Sequence, residues 1–557
     1  MPEGTRARDG VRQTLLPVLV IFALALAVRI LFIATISTTG CLAINRDPVS
    51  DMDAFHEWAS GIAGGDWLCR NDFHPFHPWQ SGIAPEATWL EWYGPHVFHQ
   101  DPLYPYFVAA IYSVAPRAPL SVVLVQLLLG AATASGIFLL ARRLVSPVAA
   151  LAAGILAALY GPFLFYESLL LRAALLVFLT TAFLLCLEEA RRRRGVAWWL
   201  GAGLVAGAVY LTKPTIVVFL PLLAGWILVS REAARPGRAV AALAAGFALS
   251  VSPAIARNLA VGAPALKTTT RGAIEFINGN SPYHPGTGWF DGDDARVTAY
   301  ARGILSRTRS RLLPTVAEVL RTWRTDPAGF AWLQIRKLGY LFAPFEMPNN
   351  ASYAYFRLNS WPLRSGLPTF YVLAPFSLLG LIVTLPSWRR LAPHYLFLAS
   401  GIAVTVAFYV IARFRAPFLP LAIVFAGAGT GFLVHRAITR DWARLAAACA
   451  LVIAALAVAT AFNEPDRQLV RPEDYYISGL DYSARGHPAL GAEELEKGIA
   501  IFPGALALRV EAAKAWERAG ETRRAIEQYQ EALKADPGSD WLAEQIRRLQ
   551  AAGGGTP

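Results

Sequence analysis

"TLLPVLVIFALALAVRILFIATISTTGCLAINRDPVSDMDAFHEWAS" runs from Thr14 to Ser60. Its first half is apolar over more than the roughly 20 residues a helix needs to cross a bilayer. Its second half changes character. Ser50 suits a helix N-cap, and Asp53, at the third helical position, completes an S-x-x-D capping box. From there Met52, Phe55, Trp58, Ala59 and Ile62 share one apolar face, while Asp53, His56, Glu57 and Ser60 share a polar one. This periodicity predicts a short amphipathic helix lying along a membrane surface, ended by Gly64 and Gly65. A membrane span leading straight into an acid-bearing interfacial helix makes the chain an all-α polytopic membrane protein.

The rest of the sequence agrees. The chain has 557 residues, 55% of them hydrophobic and only 16% charged, where a soluble domain is usually about 25% charged. Windows of membrane-spanning length predict about eleven spans. They cover approximately 14–36, 119–141, 147–161, 166–187, 196–212, 214–230, 237–256, 367–386, 394–412, 416–435 and 442–462. The apolar stretch 102–114 is too short to span and reads as interfacial or re-entrant. The basic start "MPEGTRARDGVRQ" precedes a retained first span rather than a cleaved signal.

The formal charge of +12 fits arginine-rich loops facing anionic lipid, not nucleic acid. Arg142 and Arg143, Arg191 to Arg194, Arg231 with Arg235 and Arg238, Arg389 and Arg390, and Arg436 with Arg440 follow alternate spans. All fall on one side, the cytoplasmic one by the positive-inside rule, if the N-terminus is cytoplasmic. The expected location is the inner or plasma membrane. The outer side then carries loops 37–118 and 257–366 and the tail from 463.

Residues 1–462 thus form a transmembrane domain and 463–557 a separate helical module. In the tail, Ala513, Trp516, Gly520, Ala525, Tyr529, Ala532 and Pro537 stand at the offsets of a tetratricopeptide repeat, which would offer a protein partner a binding surface. A plain helical hairpin resting on the membrane domain is the other reading.

Two roles compete for the acids of the first outer loop. Capping by itself accounts for Asp53. Asp51 sits in the first turn, where the helix dipole favours a carboxylate. It is either a helix-start acid or a group that accepts a proton from an attacking hydroxyl. The H-x-x-H pairs His74/His77 and His96/His99, with Asp51 and Asp53, supply donors for a divalent metal, but their spacing matches no established ligand pattern. No metal or other cofactor is expected. Cys41 and Cys69 flank the acid-bearing helix in one loop. Whether they are bridged or are two unrelated thiols is open.

Charges also gather at the predicted outer ends of later spans: Glu167 and, five residues deeper, Arg172, then Lys213, Arg257 with Asn258, and Arg413 with Arg415. Each cation could snorkel to the headgroups. Together they read as a pocket for an anion at the lipid boundary, most simply a lipid phosphate.

An aspartate opening an interfacial helix after the first span, "DPLYPYF" (101–107), Glu167, "SPAIARN" (252–258) and "ARFRAPFLP" (412–420) occur in an order that resembles the GT-C glycosyltransferases. The closer likeness is to family 39, with the protein O-mannosyltransferases and the lipid A aminoarabinose transferases, over roughly residues 10–440. The resemblance implies a polyprenyl-phosphate sugar donor, a lipid, glycan or protein acceptor in the cell envelope, and inverting direct displacement. It also implies an acidic base in the first outer loop, matched best by Asp51 and next by Asp53. Arg257, Arg413, Arg415 and Lys213 are then the candidates for the donor phosphate, and Glu167, Arg172, His56, Gln100, Tyr104 and Asn258 for the substrate pocket. Two departures stand out. The paired acid of many relatives is replaced by Asp51-Met52, and Gln100-Asp101 stands where the aminoarabinose transferases carry a lysine. An O-antigen ligase or polymerase type of enzyme, and a non-enzymatic scaffold with a partner-binding tail, are the alternatives.

Overall fold

The computed structural model describes residues 3–71, 73–230, 232–288, 294–461 and 469–553. Arg231, one of the loop arginines noted above, lies outside them. The described residues are helical, and their only strand-like pairing is an isolated bridge between Thr287 and Val410. The protein is a multi-pass membrane protein. Seven helical stretches are long and apolar enough to cross a membrane, or eight if the bent pair Pro147–Leu159 and Gly161–Glu167 counts as one span.

The expected span count was higher for identifiable reasons. Val196–Thr212 and Pro214–Ser230 are apolar but short. Residues 370–407 run as one apolar stretch, in which the turn Leu385–Ser387 joins Phe370–Thr384 to Trp388–Ala407. The span expected at 166–187 begins later, at Ala173. The chain bends through 168–172 after Gly161–Glu167. Arg172 therefore caps the start of a helix and is not a turn deeper within it.

Small residues let the membrane helices approach closely, as expected where no hydrophobic effect drives helix association. A Cβ on Gly203 would stand 2.1 Å from the Leu243 carbonyl oxygen, and one on Gly246 would stand 2.1 Å from that of Leu200. Val196–Thr212 and Pro236–Val261 are thus in backbone contact through reciprocal glycines.

The chain divides into two compact units. One comprises residues 1–29, 54–349 and 367–465 and contains most of the membrane helices; the other comprises 30–53, 350–366 and 466–557. The second unit is larger than the tail expected from sequence, because the tail's helices need partners from earlier in the chain. The turn Gly40–Arg46 lies against Pro472–Ala484 so closely that a Cβ on Gly40 would collide with Ser478. Tyr355 donates to Glu494 at 2.7 Å and packs edge-on against Tyr475.

Beyond these contacts, Pro488–Ile501, Leu506–Arg518, Thr522–Ala535 and Asp540–Gly553 continue the array, each helix packed on the one before. Ala513, Trp516, Ala525, Tyr529 and Ala532, the repeat-like positions, are buried between them. Gly520 makes the turn at φ +81°.

Asp474 is buried in this unit, and neither carboxylate oxygen has a hydrogen-bond partner among the described residues. Burial pushes its carboxyl up from 3.8 to about 7, against the pull of Arg471. Between those two values the folded chain holds a proton that the unfolded chain has released. This contribution to stability is therefore present at low pH and is lost as pH rises toward 7. Asp474→Asn is expected to remove that slope and to raise the melting temperature of the full chain above neutral pH. Thermal unfolding in detergent across pH checks this, and a parallel pH dependence in parent and variant would refute it.

Candidate active site

In the second unit, the helix Asp51–Ala63 starts as its sequence predicts. The Ser50 hydroxyl accepts the Asp53 N–H at 3.3 Å, forming half of the capping box. The Ser50 N–H donates to the Asp47 carbonyl at 3.0 Å. The Asp53 carboxylate pairs with Arg46 at 2.9 Å. Asp51 is buried, and its Oδ2 accepts a hydrogen bond from the Asn350 side-chain amide at 2.8 Å. Nothing local pointed to Asn350, which lies 299 positions away.

In the membrane unit, the remaining candidates separate into two kinds. The first kind is committed to protein groups. Arg257 donates to the carbonyls of Leu68 (2.7 Å), His96 (2.5 Å) and Cys69 (2.6 Å), and stacks on Phe98. The Asn258 amide donates to the carbonyls of Pro264, Ala265 and Lys267, closing the turn after the helix Pro236–Val261. Arg415 pairs with buried Glu346 at 3.0 Å, donates to the Leu341 carbonyl and lies over Phe370.

Tyr104 and Glu167 belong to one buried network. Tyr104 donates to Gln126 at 2.9 Å, and the Gln126 amide donates to the carbonyls of Glu167 and Leu169. The Glu167 carboxylate receives two bonds of 2.7 Å from Arg29. Gly130 makes room for it, since a Cβ there would stand 2.1 Å from Oε1. Arg257, Arg415 and Asn258 thus tie loops and helix ends together. Only the fold reveals this, because the partners are mostly backbone carbonyls from distant segments.

The second kind forms a charged group. Arg172 pairs with buried Asp101 at 2.7 Å. Lys213 is partly buried, with its ammonium over the Phe414 ring, and it interacts electrostatically with Arg172, Glu275, Arg413 and Asp101. Burial and then the like charge of Arg172 push the Lys213 ammonium down. Burial likewise pushes the Asp101 carboxyl up, against Arg172. Arg413 also lines a small cavity with Phe163, Tyr166, Glu167 and Ala416. Among the described residues, Arg172, Lys213 and Arg413 thus gather with Asp101 and Glu275 in a partly buried place, where charges interact more strongly than in bulk water. Asp101 and Glu275 were absent from the sequence candidates.

The other first-loop residues have partners of their own. His56 Nδ1 is 2.8 Å from the Tyr112 hydroxyl. Gln100 is buried. One histidine from each H-x-x-H pair, His74 and His99, meet ring to ring at 5.6 Å. Among the described residues no three metal-ligating side chains converge. Cys41 and Cys69 are both free thiols. Cys69 sits against Trp58 and Tyr106, and Cys41 is buried in the other unit.

Residues 99–256 match the family described as dolichyl-phosphate-mannose-protein mannosyltransferase. The match covers less than a third of the chain. The matched segment contains Asp101, Glu167, Arg172 and Lys213 and stops short of Asp51, Arg257 and Arg413. A search of curated proteins finds no matching sequence.

Among solved structures, the apo oligosaccharyltransferase of Archaeoglobus fulgidus is similar at 16% identity and a TM-score of 0.45, over 84% of this chain and 57% of its own. The same organism's oligosaccharyltransferase AglB, in complex with an inhibitory peptide and a dolichol-phosphate, is similar at 16% identity and a TM-score of 0.37, over 83% and 57%. The chain thus spans little more than half the length of these enzymes.

Proposed function

We propose that this protein transfers a sugar from a polyprenyl-phosphate donor to a lipid, glycan or protein acceptor of the cell envelope, on the non-cytoplasmic face of the membrane. The observation that carries the reading is the gathering of three partly buried cations, Arg172, Lys213 and Arg413, around Asp101 and Glu275 among the described residues. A phosphate leaving group gains charge as the sugar departs, and preorganised cations stabilise that charge most where water is excluded. The family match over 99–256, which contains two of these cations, supports the same donor class.

Asp51 is assigned the proton of the attacking hydroxyl. A single carboxylate acting as base, with no covalent intermediate, gives inversion at the anomeric carbon, as in the base half of an inverting glycosidase. Asp53, paired to Arg46, is assigned to the helix start. His56 and Gln100 remain pocket candidates, and the proposal requires no metal.

The experiment is transfer by the full chain in lipid nanodiscs, with undecaprenyl-phosphate [14C]mannose and the corresponding glucose and arabinose lipids as probes and host envelope fractions as acceptors. Label leaving the lipid-phosphate fraction for an acceptor, with inverted anomeric configuration, is expected. Retention of configuration would overturn the mechanism, and transfer from a nucleotide sugar alone would overturn the donor class.

The cation assignments differ in what their loss should do. Arg413→Gln is expected to raise the KM for the lipid donor at least tenfold with little change in melting temperature. Arg257→Gln is expected to act mainly on stability, because three carbonyls lose their donor at about 1–3 kcal/mol each where they stay buried. Donor titrations beside thermal unfolding separate the two, and a donor defect confined to Arg257→Gln would reverse the assignment.

A further inference from the structure

The Asp51 carboxylate does not stand alone in its unit. Asn350 donates its side-chain amide to Asp51 Oδ2 at 2.8 Å. Asn350 is itself held, since its backbone carbonyl accepts from the Arg471 guanidinium. Arg471 immediately precedes the first helix of the C-terminal array, Pro472–Ala484. The same guanidinium faces Asp47 at 3.8 Å and Glu473 at 3.2 Å.

Asp47 in turn shapes the approach to the helix of Asp51. Its carboxylate accepts the Val49 N–H at 3.2 Å, and its carbonyl accepts the Ser50 hydroxyl at 2.7 Å. One residue of the tail therefore touches both segments that meet at Asp51. A second tie lies beside it, where Ser352 donates to the Leu469 carbonyl while its hydroxyl also caps the helix Tyr353–Asn359. Further charged groups described in this unit include Arg46, which is paired to Asp53, and Asp474.

We propose that Asn350 is the positioning residue of Asp51 and that Arg471 holds Asn350 in place, so that the C-terminal helical array sets the orientation and charge state of Asp51. The consequence for catalysis rests on the reading of Asp51 as the proton acceptor; the positioning itself does not. An amide N–H donated to a carboxylate favours the ionised form and fixes the carboxylate plane. A base must be ionised and aimed before the hydroxyl arrives. The array thereby gains a role at the site besides any partner it binds. A partner that pulled on residues 469–471 would release Asn350 and with it Asp51.

The test uses the full chain in nanodiscs, with two readouts. One is the titration of Asp51 itself, taken as the infrared difference between each protein and its Asp51→Asn counterpart. The other is the acid limb of transfer, with undecaprenyl-phosphate mannose as probe. Asn350→Ala is expected to move both midpoints up by about one pH unit, since a donor to the charged form is lost. Asn350→Asp, nearly isosteric, should move them further, because it adds a like charge. Arg471→Gln should act in the same direction but less.

Asn359→Ala is the control. Its amide serves the Tyr355 carbonyl in the same segment, and it should move neither midpoint. If folded Asn350→Ala and Asn350→Asp leave the Asp51 midpoint in place, the positioning proposal fails. If Asp51→Asn keeps parental transfer, the proton-acceptor reading fails, and the infrared midpoint still decides the positioning.

Discussion

Asp51→Asn is expected to lower transfer by about two to four orders of magnitude, the usual contribution of a general base, and to leave the protein as stable as the parent. The stability expectation follows from the geometry. An asparagine keeps the shape of the aspartate and still offers a carbonyl oxygen to the Asn350 amide, which now donates at 2.8 Å. The Ser50 cap to the Asp53 N–H is untouched. The negative charge disappears, and with it the capacity to take a proton.

Asp53→Asn makes the informative comparison. It weakens an ion pair whose Arg46 partner is about half exposed, and such pairs contribute at most about 1 kcal/mol. Transfer should survive that change. Initial rates and thermal unfolding on both variants, in the same detergent, check the pair of expectations. Full activity in Asp51→Asn would remove the base assignment, and loss of activity in Asp53→Asn alone would exchange the two roles.

Glu167→Ala is expected to destabilise the membrane unit by about 3–5 kcal/mol, the range for removing one partner of a buried ion pair. Arg29 has no exposed side-chain surface and gives two bonds of 2.7 Å to Glu167. Without the carboxylate, its remaining acceptors are the carbonyls of Ala25 and Ala158. A guanidinium left unpaired there is too costly to keep. The double variant Arg29→Met/Glu167→Met should recover most of the loss, since replacing both charges by apolar groups of similar volume is often neutral.

Chemical or thermal unfolding in detergent measures the cycle. Additive losses would show that the two side chains do not depend on each other. Transfer assays on a folded double variant add a second reading, because Glu167 also lines the cavity beside Arg413. Near-parental activity would mark the pair as structural and withdraw Glu167 from the substrate pocket.

Several features were legible in the sequence because the physics behind them is local. An apolar run of sufficient length must be a membrane helix wherever it packs. Ser50 caps the helix of Asp51 with the bond its sequence predicts, and the apolar face of that helix is buried at Met52, Phe55, Trp58, Ala59 and Ile62. The repeat-like spacing of Ala513, Trp516, Ala525, Tyr529 and Ala532 likewise foretold which positions would be buried between helices.

The partners of the polar side chains were not legible, because each choice depends on which distant backbone arrives beside it. Arg257 and Arg413 look alike in sequence, two arginines just beyond apolar stretches. Packing surrounds Arg257 with the carbonyls of Leu68, Cys69 and His96 and places Arg413 against a cavity and Lys213. The partner of Glu167 is Arg29, which the fold brings to it from 138 positions away. Residues 14 to 60 by themselves determined that this is a membrane protein presenting an acid at the start of a short helix. Only the tertiary structure decided that the acid meets Asn350 and that Arg471 of the tail holds Asn350. Burying a carboxylate requires a donor, and no rule of sequence spacing says which distant residue will supply it.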